Sequence, residues 1–326
     1  MRAKEIMLRS DTDLPPLVLG DLPLEDRPTC LDDHGPIFIL GCPRSGTTFL
    51  SDCISTIPGV AEFVGVLAPP RLMHYLGKKS KNFDASEIMS FVRDVFWQQF
   101  WRSVFARGER TKRWLQGKIG FGELIASPSL KGKLFCYKEP FLCYAVDEFS
   151  VFFPNSKFIH IVRDGRDNAD SIERTYPHAL SDAVLRDDLL SYNKNSEIGF
   201  WTKEKGFNFP WWVPKHEWDN FLEMNKYHRC VKMWAEMTRR ALSLRETVSA
   251  DRYLELRYED LVSDPQRYGD EILSFLGAND SSKFRKKLGR SVPSSIKIAK
   301  KNQKPADIEK ANQIAGDLLA KIGYEL

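Results

Sequence analysis

Apolar residues follow two rhythms along the chain. Ile37–Leu40 is an unbroken apolar run, the pattern of a parallel strand covered on both faces, and runs at Lys133–Tyr137, Lys157–Val162 and Tyr253–Tyr258 predict further strands. Between the runs the spacing turns helical. Phe49, Leu50, Cys53, Ile54 and Ile57 recur three or four residues apart directly after the first run, and Ile88 to Phe105 keeps the same period behind a capping box at Asp84 and Glu87. Further helices are predicted over about 143–152, from Asn168 onward, over His216–Val248 as one long element, over Gln266–Leu276 and over Ala306–Ile322. Strands alternating with helices predict an α/β fold. Its parallel β-sheet is flanked by helices on both faces, with any ligand outside the carboxyl ends of the strands.

Three stretches keep neither rhythm. Residues 1–34 are charged and proline-rich and read as an irregular N-terminal arm. Tyr176–Trp218 reads as irregular chain in which Trp201, Trp211, Trp212 and Trp218 stand among polar residues, and Ser291–Pro305 reads as a polar loop. No low-complexity linker or internal repeat divides the 326 residues, which predicts one domain over 35–326 with an acceptor-side insertion at about 176–235.

Composition narrows the functional classes. Lysine and arginine exceed aspartate and glutamate by 48 − 44 = 4, an excess that suits an anionic ligand and is too small to call for nucleic acid. Six scattered cysteines with no C-x-x-C pair argue against a disulfide framework or a zinc site and predict reduced, buried thiols. The amino terminus lacks a signal-peptide core, and no apolar run reaches the roughly 18 residues of a membrane span. The expected setting is the cytoplasm.

Candidate chemistry collects where strands end. After Leu40 come Gly41-Cys42-Pro43-Arg44-Ser45-Gly46-Thr47-Thr48 and then a helix. A strand turning at once into a helix aims unpaired backbone N–H groups and the positive end of the helix dipole at one spot, which suits an anion. Gly41 and Gly46 keep the spacing of the nucleotide P-loop, so the sheet is expected to be P-loop-like. That loop's lysine is replaced by Thr47, however, and the cation of the turn is Arg44. A second cationic strand end, Arg163-Asp164-Gly165-Arg166-Asp167, follows Lys157–Val162, with Ser171 eight residues beyond Arg163. The third is Tyr137-Lys138-Glu139-Pro140-Phe141.

Together these stretches resemble the sulfotransferases that use 3'-phosphoadenosine 5'-phosphosulfate (PAPS), most closely the tyrosylprotein and glycan branch. Pro43–Thr48 is similar to the family's P-[KR]-[SA]-G-T-T loop, Arg163 and Ser171 match its 3'-phosphate site, and Lys138 lies in a K-[DE]-P-F run like that of the tyrosylprotein enzymes. The resemblance implies that Ser45, Gly46, Thr47 and Thr48 hold the 5'-phosphosulfate with Arg44 over it, and that Arg163 and Ser171 hold the 3'-phosphate. It assigns to Lys138 the bridging oxygen that gains charge as the sulfuryl group leaves. It also implies a nucleotide contact for Tyr258, within Leu256-Arg257-Tyr258-Glu259-Asp260-Leu261, and a basic loop drawn from Lys297, Lys300 and Lys301. PAPS would be the co-substrate and 3',5'-diphosphoadenosine (PAP) the product, with no metal.

The acceptor hydroxyl needs a base. Small-molecule members of the family carry a histidine in K-T-H, but here Lys138 is followed by Glu139. Glu62, shortly after the loop helix, is the nearest match to the glutamate of the tyrosylprotein members, although a few residues out of register; Glu139 is the alternative and His74 a third. The acceptor stays open among glycan, lipid, metabolite and peptide. Two other readings stand beside this one. A P-loop nucleotide kinase would use Asp164 to hold magnesium, and a non-catalytic nucleotide-binding protein would keep the pocket without the base.

Overall fold

The computed structural model describes residues 35–64, 111–112, 114–117, 120–125, 134–186, 201–204, 206–291 and 296–326. The N-terminal arm, the helix expected behind Asp84, and His74 lie outside the described residues.

The strands are β1 (Ile37–Leu40), β2 (Val60–Val64), β3 (Leu134–Lys138), β4 (Lys157–Val162), β5 (Trp201–Glu204), β6 (Phe207–Pro210) and β7 (Tyr253–Arg257). Five of them form one parallel sheet in the order β2-β3-β1-β4-β7, while β5 and β6 make an antiparallel pair. The helices used below are α1 (Thr47–Ile54), α2 (Val146–Phe152), α3 (Gly165–Thr175), α4 (Lys226–Thr247), α5 (Tyr258–Ser263), α6 (Pro265–Leu276), α7 (Ser282–Leu288), α8 (Ala299–Asn302) and α9 (Pro305–Lys321).

Because β1 is apolar at all four positions, it can lie at the centre and feed a core on each face. Ile37 and Ile39 join Leu50, Cys53 and Ile54 of α1 and the apolar sides of α6 and α7. Phe38 and Leu40 join α2, α3, α4 and α9 on the opposite face. Phe38 is fully buried there, stacked on Phe158 at 5.3 Å and edge-on to Phe149 at 5.4 Å. Truncating it to alanine would cost about 3–5 kcal/mol. The chain therefore forms the expected parallel sheet with helices on both faces.

From β1 the chain builds one way through β3 and β2, and the other way through β4 and β7. The direction changes at the β1–β4 pair, where Ile37 lies opposite Lys157 and Leu40 opposite His160. That makes the turn after β1 and the turn after β4 neighbours. The crevice beyond such a switch is where α/β sheets take their ligands.

Several boundaries differ from the sequence reading for local reasons. The long helix expected over His216–Val248 is split: Trp218–Glu223 stops at Met224, whose ψ of 141° is extended, and Asn225 caps α4 by accepting the His228 N–H. Helix α3 starts at Gly165 rather than Asn168, because the Asp164 carboxylate accepts the Arg166 N–H. Tyr258 opens α5 instead of closing a strand. Tyr176–Trp218 is not wholly irregular, since it holds a helix over Asp182–Leu185, capped by Ser181, and the β5–β6 pair. Within the expected polar loop lies α8. Cys42, Cys53, Cys136, Cys143 and Cys230 are buried free thiols, as the composition predicts.

Candidate active site

The turn from β1 to α1 places Arg44 at φ 73° and Gly46 at φ 99°, so a non-glycine residue occupies the left-handed region at the loop tip. No side chain caps α1 and its first turn carries no acidic residue. The N–H groups there and the positive dipole end are thus directed at the crevice with no anionic partner among the described residues. A Cβ on Gly46 would stand 2.9 Å from Cδ2 of Tyr258; glycine lets that ring close over the loop. Arg44 and Thr48 are exposed, whereas Ser45 and Thr47 are buried. Ser45 turns its hydroxyl inward to accept Nδ2 of Asn168 at 2.9 Å, and its N–H donates to the Cys42 carbonyl at 3.0 Å.

Arg163 leaves β4 beside this loop. Its Nη1 donates to the Arg44 carbonyl at 3.2 Å, and its guanidinium lies 5.4 Å from the centre of the Tyr258 ring. Arg44 in turn donates from Nε to Oγ of Ser171 at 3.2 Å. Arg44, Arg163, Ser171 and Tyr258 come from three separate stretches and form one cluster. Arg163 is only 4% exposed, an unusual depth for a guanidinium. Two cations held this close favour an anion beside them.

Helix α3 supports the cluster from behind. Asn168 donates from Nδ2 to the Pro43 carbonyl at 3.0 Å as well as to Ser45, which ties the two strand-end turns together. Asp167 accepts the N–H groups of Lys297 at 2.5 Å and Ala299 at 2.8 Å, while Asp170 accepts from Asn302 and Gln303. Burial raises the Asp167 carboxyl above its ordinary pKa, and the Ala299 N–H works against that rise. These contacts strap the segment bearing Lys297, Lys300 and Lys301 onto α3. All three lysines are exposed. The Asp164 carboxylate is bound by Arg166 at 2.7 and 3.0 Å. Glu259 accepts the Asp164 N–H at 3.1 Å and the Tyr324 hydroxyl at 2.7 Å.

Lys138 ends β3 between Ile39 of β1 and Val64 of β2. Phe135 and Tyr137 fill the α4 side, so strand alternation turns Lys138, like Cys136, to the α1 side. Glu62 lies in β2 opposite Cys136, two residues short of the Val64 level. Glu139 is 5% exposed, and its Oε1 accepts the Phe141 N–H at 3.1 Å, capping the 3-10 helix Pro140–Ala145. A capping duty already occupies this carboxylate.

Comparison with known proteins decides the family. The chain matches the profile described as "Sulfotransferase family" over residues 36–196 and 210–282. It belongs to the sulfotransferase family. Protein-tyrosine sulfotransferase 2 of Gallus gallus is 24% identical over 318 residues, covering 89% of this chain and 69% of that protein. Protein-tyrosine sulfotransferase 1 of Danio rerio is 22% identical over 317 residues, covering 89% and 72%. Among solved structures, a sulfotransferase of Mycobacterium avium superposes with a TM-score of 0.49 at 17% identity, covering 93% of this chain and 81% of that one.

In this sulfotransferase Arg44, Arg163, Ser171 and Tyr258, each named from the sequence, lie together, whereas Asn168, Asp167 and Asp170 were passed over. A signal for Asn168 was present: Asp164, Asn168 and Ser171 follow the four- and three-residue steps of one helix face. The kinase reading loses its magnesium residue, because Asp164 is committed to Arg166. Among the described residues no helix is long and apolar enough to cross a membrane.

Proposed function

We propose that this sulfotransferase moves the sulfuryl group of PAPS to an acceptor hydroxyl by in-line displacement. The observation that carries the reading is Arg44, which contacts both Ser171 and Arg163 and so brings a helix N-terminus and a second cationic strand end within reach of one adenosine bisphosphate. The N–H groups of Gly46, Thr47 and Thr48 and the Thr48 hydroxyl would take the 5'-phosphosulfate with Arg44 over it. Ser45 serves from inside, as the hinge between loop and Asn168. Arg163 and Ser171 would take the 3'-phosphate, and Tyr258 a face of the nucleotide. Lys297, Lys300 and Lys301, on the strapped segment, would add charge at the phosphates.

In the reaction the acceptor oxygen forms a bond to sulfur while the bond from sulfur to the bridging oxygen breaks. The electron pair stays on that oxygen, and the acceptor proton goes to a base. Lys138 would oppose the charge that develops on the bridging oxygen, where a fixed cation in a dry site acts most strongly. Glu62, one strand over, would accept the proton. The names of the two relatives give the tyrosine hydroxyl as the first acceptor to try.

The test is a melting-temperature screen of adenine nucleotides followed by transfer of labelled sulfate from PAPS to a tyrosyl peptide. PAP should raise the melting temperature, and Arg163→Ala should abolish the rise. An equal rise with ATP, insensitive to that change, would overturn the reading. PAP binding without transfer to any hydroxyl would leave the non-catalytic alternative in its place.

A further inference from the structure

At the far end of α1 from the Arg44 loop, a cavity of about 310 Å³ opens between the Ser55-Thr56 turn and α7. Four cations line it, Lys283, Lys286, Lys287 and Arg290, with Gln116 and Gly117 beside them, and among the described residues no carboxylate does. We propose that this cavity is a second anion site, taking a small polyanion that bears phosphate or sulfate ester groups.

The four cations follow steps of three, one and three residues, which puts them on one side of α7 and its exit, while Phe284 and Leu288 point into the core. Helix stability does not account for the arrangement. Cations in the last turn, such as Lys286 and Lys287, complement the helix dipole, but Lys283 lies in the first turn, where the dipole opposes it. Nearby acids do not neutralise the stripe either. Asp270 and Asp280 are both paired with Arg285, each at 2.5 Å. Among the described residues no ion pair joins any of the four cations to a carboxylate.

Ser55 and Thr56 donate their hydroxyl protons to the Asp52 and Cys53 carbonyls, at 3.0 and 2.6 Å. Contact to a ligand therefore falls to the ammonium and guanidinium groups, which select for charge, and to the Gln116 amide. The space holds about ten water volumes, far more than one oxyanion needs, so the fit is to a molecule with several anionic groups. Helix α1 separates the cavity from the loop by about 12 Å, so the site is distinct from the donor crevice.

Calorimetric titration of tripolyphosphate tests the proposal on the full chain. Lys283→Gln/Lys287→Gln should weaken binding about tenfold or more, since two charge-assisted contacts are lost. Saturating PAP, which fills the donor crevice, should leave it unchanged. The opposite pattern, with loss under PAP and retention in the lysine variant, would assign the anion to the donor crevice and overturn the proposal. So would an equal loss in Lys310→Gln/Lys321→Gln, two exposed lysines of α9, which would indicate diffuse surface charge. Sedimentation with vesicles containing phosphatidylinositol 4-phosphate distinguishes the source. Binding there alone, lost in Lys283→Gln/Lys287→Gln, assigns the ester to a lipid headgroup, whereas wild-type protein that binds neither probe refutes the site.

Discussion

Arg44 donates from Nε to Oγ of Ser171 across 3.2 Å, although 127 residues separate them in the chain. The contact fixes a guanidinium at the tip of the β1–α1 loop against α3, the helix that follows Arg163. Ser171 thus belongs to both halves of the crevice.

Ser171→Ala removes that anchor without touching the core. The loss of one part-buried hydrogen bond should lower stability by about 0.5–1.5 kcal/mol. Affinity for PAP should fall by about tenfold, since Arg44 loses its rest position and the bisphosphate loses a hydroxyl. Titration of PAP against wild type and variant checks both halves, and an unchanged affinity would detach Ser171 from the nucleotide.

Lys138→Met keeps the unbranched stem of the side chain, one atom shorter, and removes its charge. If Lys138 acts on the leaving oxygen, kcat should drop by about 10²–10³ while PAP binding barely changes. Single-turnover measurement with labelled PAPS separates the two effects. A variant with weakened PAP binding and intact kcat would make Lys138 a binding residue only.

How much of this was legible in the sequence depends on the range of each interaction. The strands and the two cationic turns were readable because they are carried by contiguous residues: an apolar run, a glycine, a cation. Their adjacency was not written locally; it follows from β1 pairing with β4, a long-range event. Asn168 was missed for the same reason, as its partners Pro43 and Ser45 are 125 and 123 residues away. The His216–Val248 helix failed for the opposite reason. The apolar period runs through Met224, but the Asn225 side chain offers the His228 N–H a cap, and that local bond wins.

Asn168→Asp tests the tie between the two turns. The shapes match, but two N–H donors facing the Pro43 carbonyl and the Ser45 hydroxyl give way to an oxygen, and a charge enters a fully buried position. Stability should fall by about 1–3 kcal/mol or more. PAP affinity should fall beyond that of Asn168→Ala, because a carboxylate beneath the loop repels the 5'-phosphate. Equal affinities for the two variants would limit Asn168 to a structural role.

Gly165→Ala should be among the most damaging small substitutions. Its Cβ would come within 2.3 Å of Cε3 of Trp234, a fully buried ring of α4 that has no room to retreat. Overpacking of this kind costs about 1–3 kcal/mol and often more. The denaturant midpoint should fall accordingly, whereas Gly122→Ala, with nothing among the described residues within 4 Å, should leave it nearly unmoved.

His160 gives the fold an acid-sensitive component. It is fully buried on β4, its Nδ1 lies 2.9 Å from the Tyr253 hydroxyl, and that hydroxyl donates to Glu255 at 3.2 Å. With the tyrosine proton on Glu255, the imidazole is the donor at Nδ1 and stays neutral. Burial pushes its pKa from 6.5 down to about 3, with the positive charge of Arg245 adding to the shift. Between those values the unfolded chain binds the proton and the folded chain does not. The stabilisation is therefore whole above pH 6.5 and is lost progressively as the pH falls toward 3. His160→Leu leaves the Tyr253 hydroxyl its Glu255 partner and removes the titrating group. Over this window the slope of unfolding free energy against pH should shrink by about one proton relative to wild type. Denaturant titrations at pH 4, 5, 6 and 7, taken as about one-unit steps, read that slope directly; an unaltered slope would mean that His160 is already protonated in the folded chain.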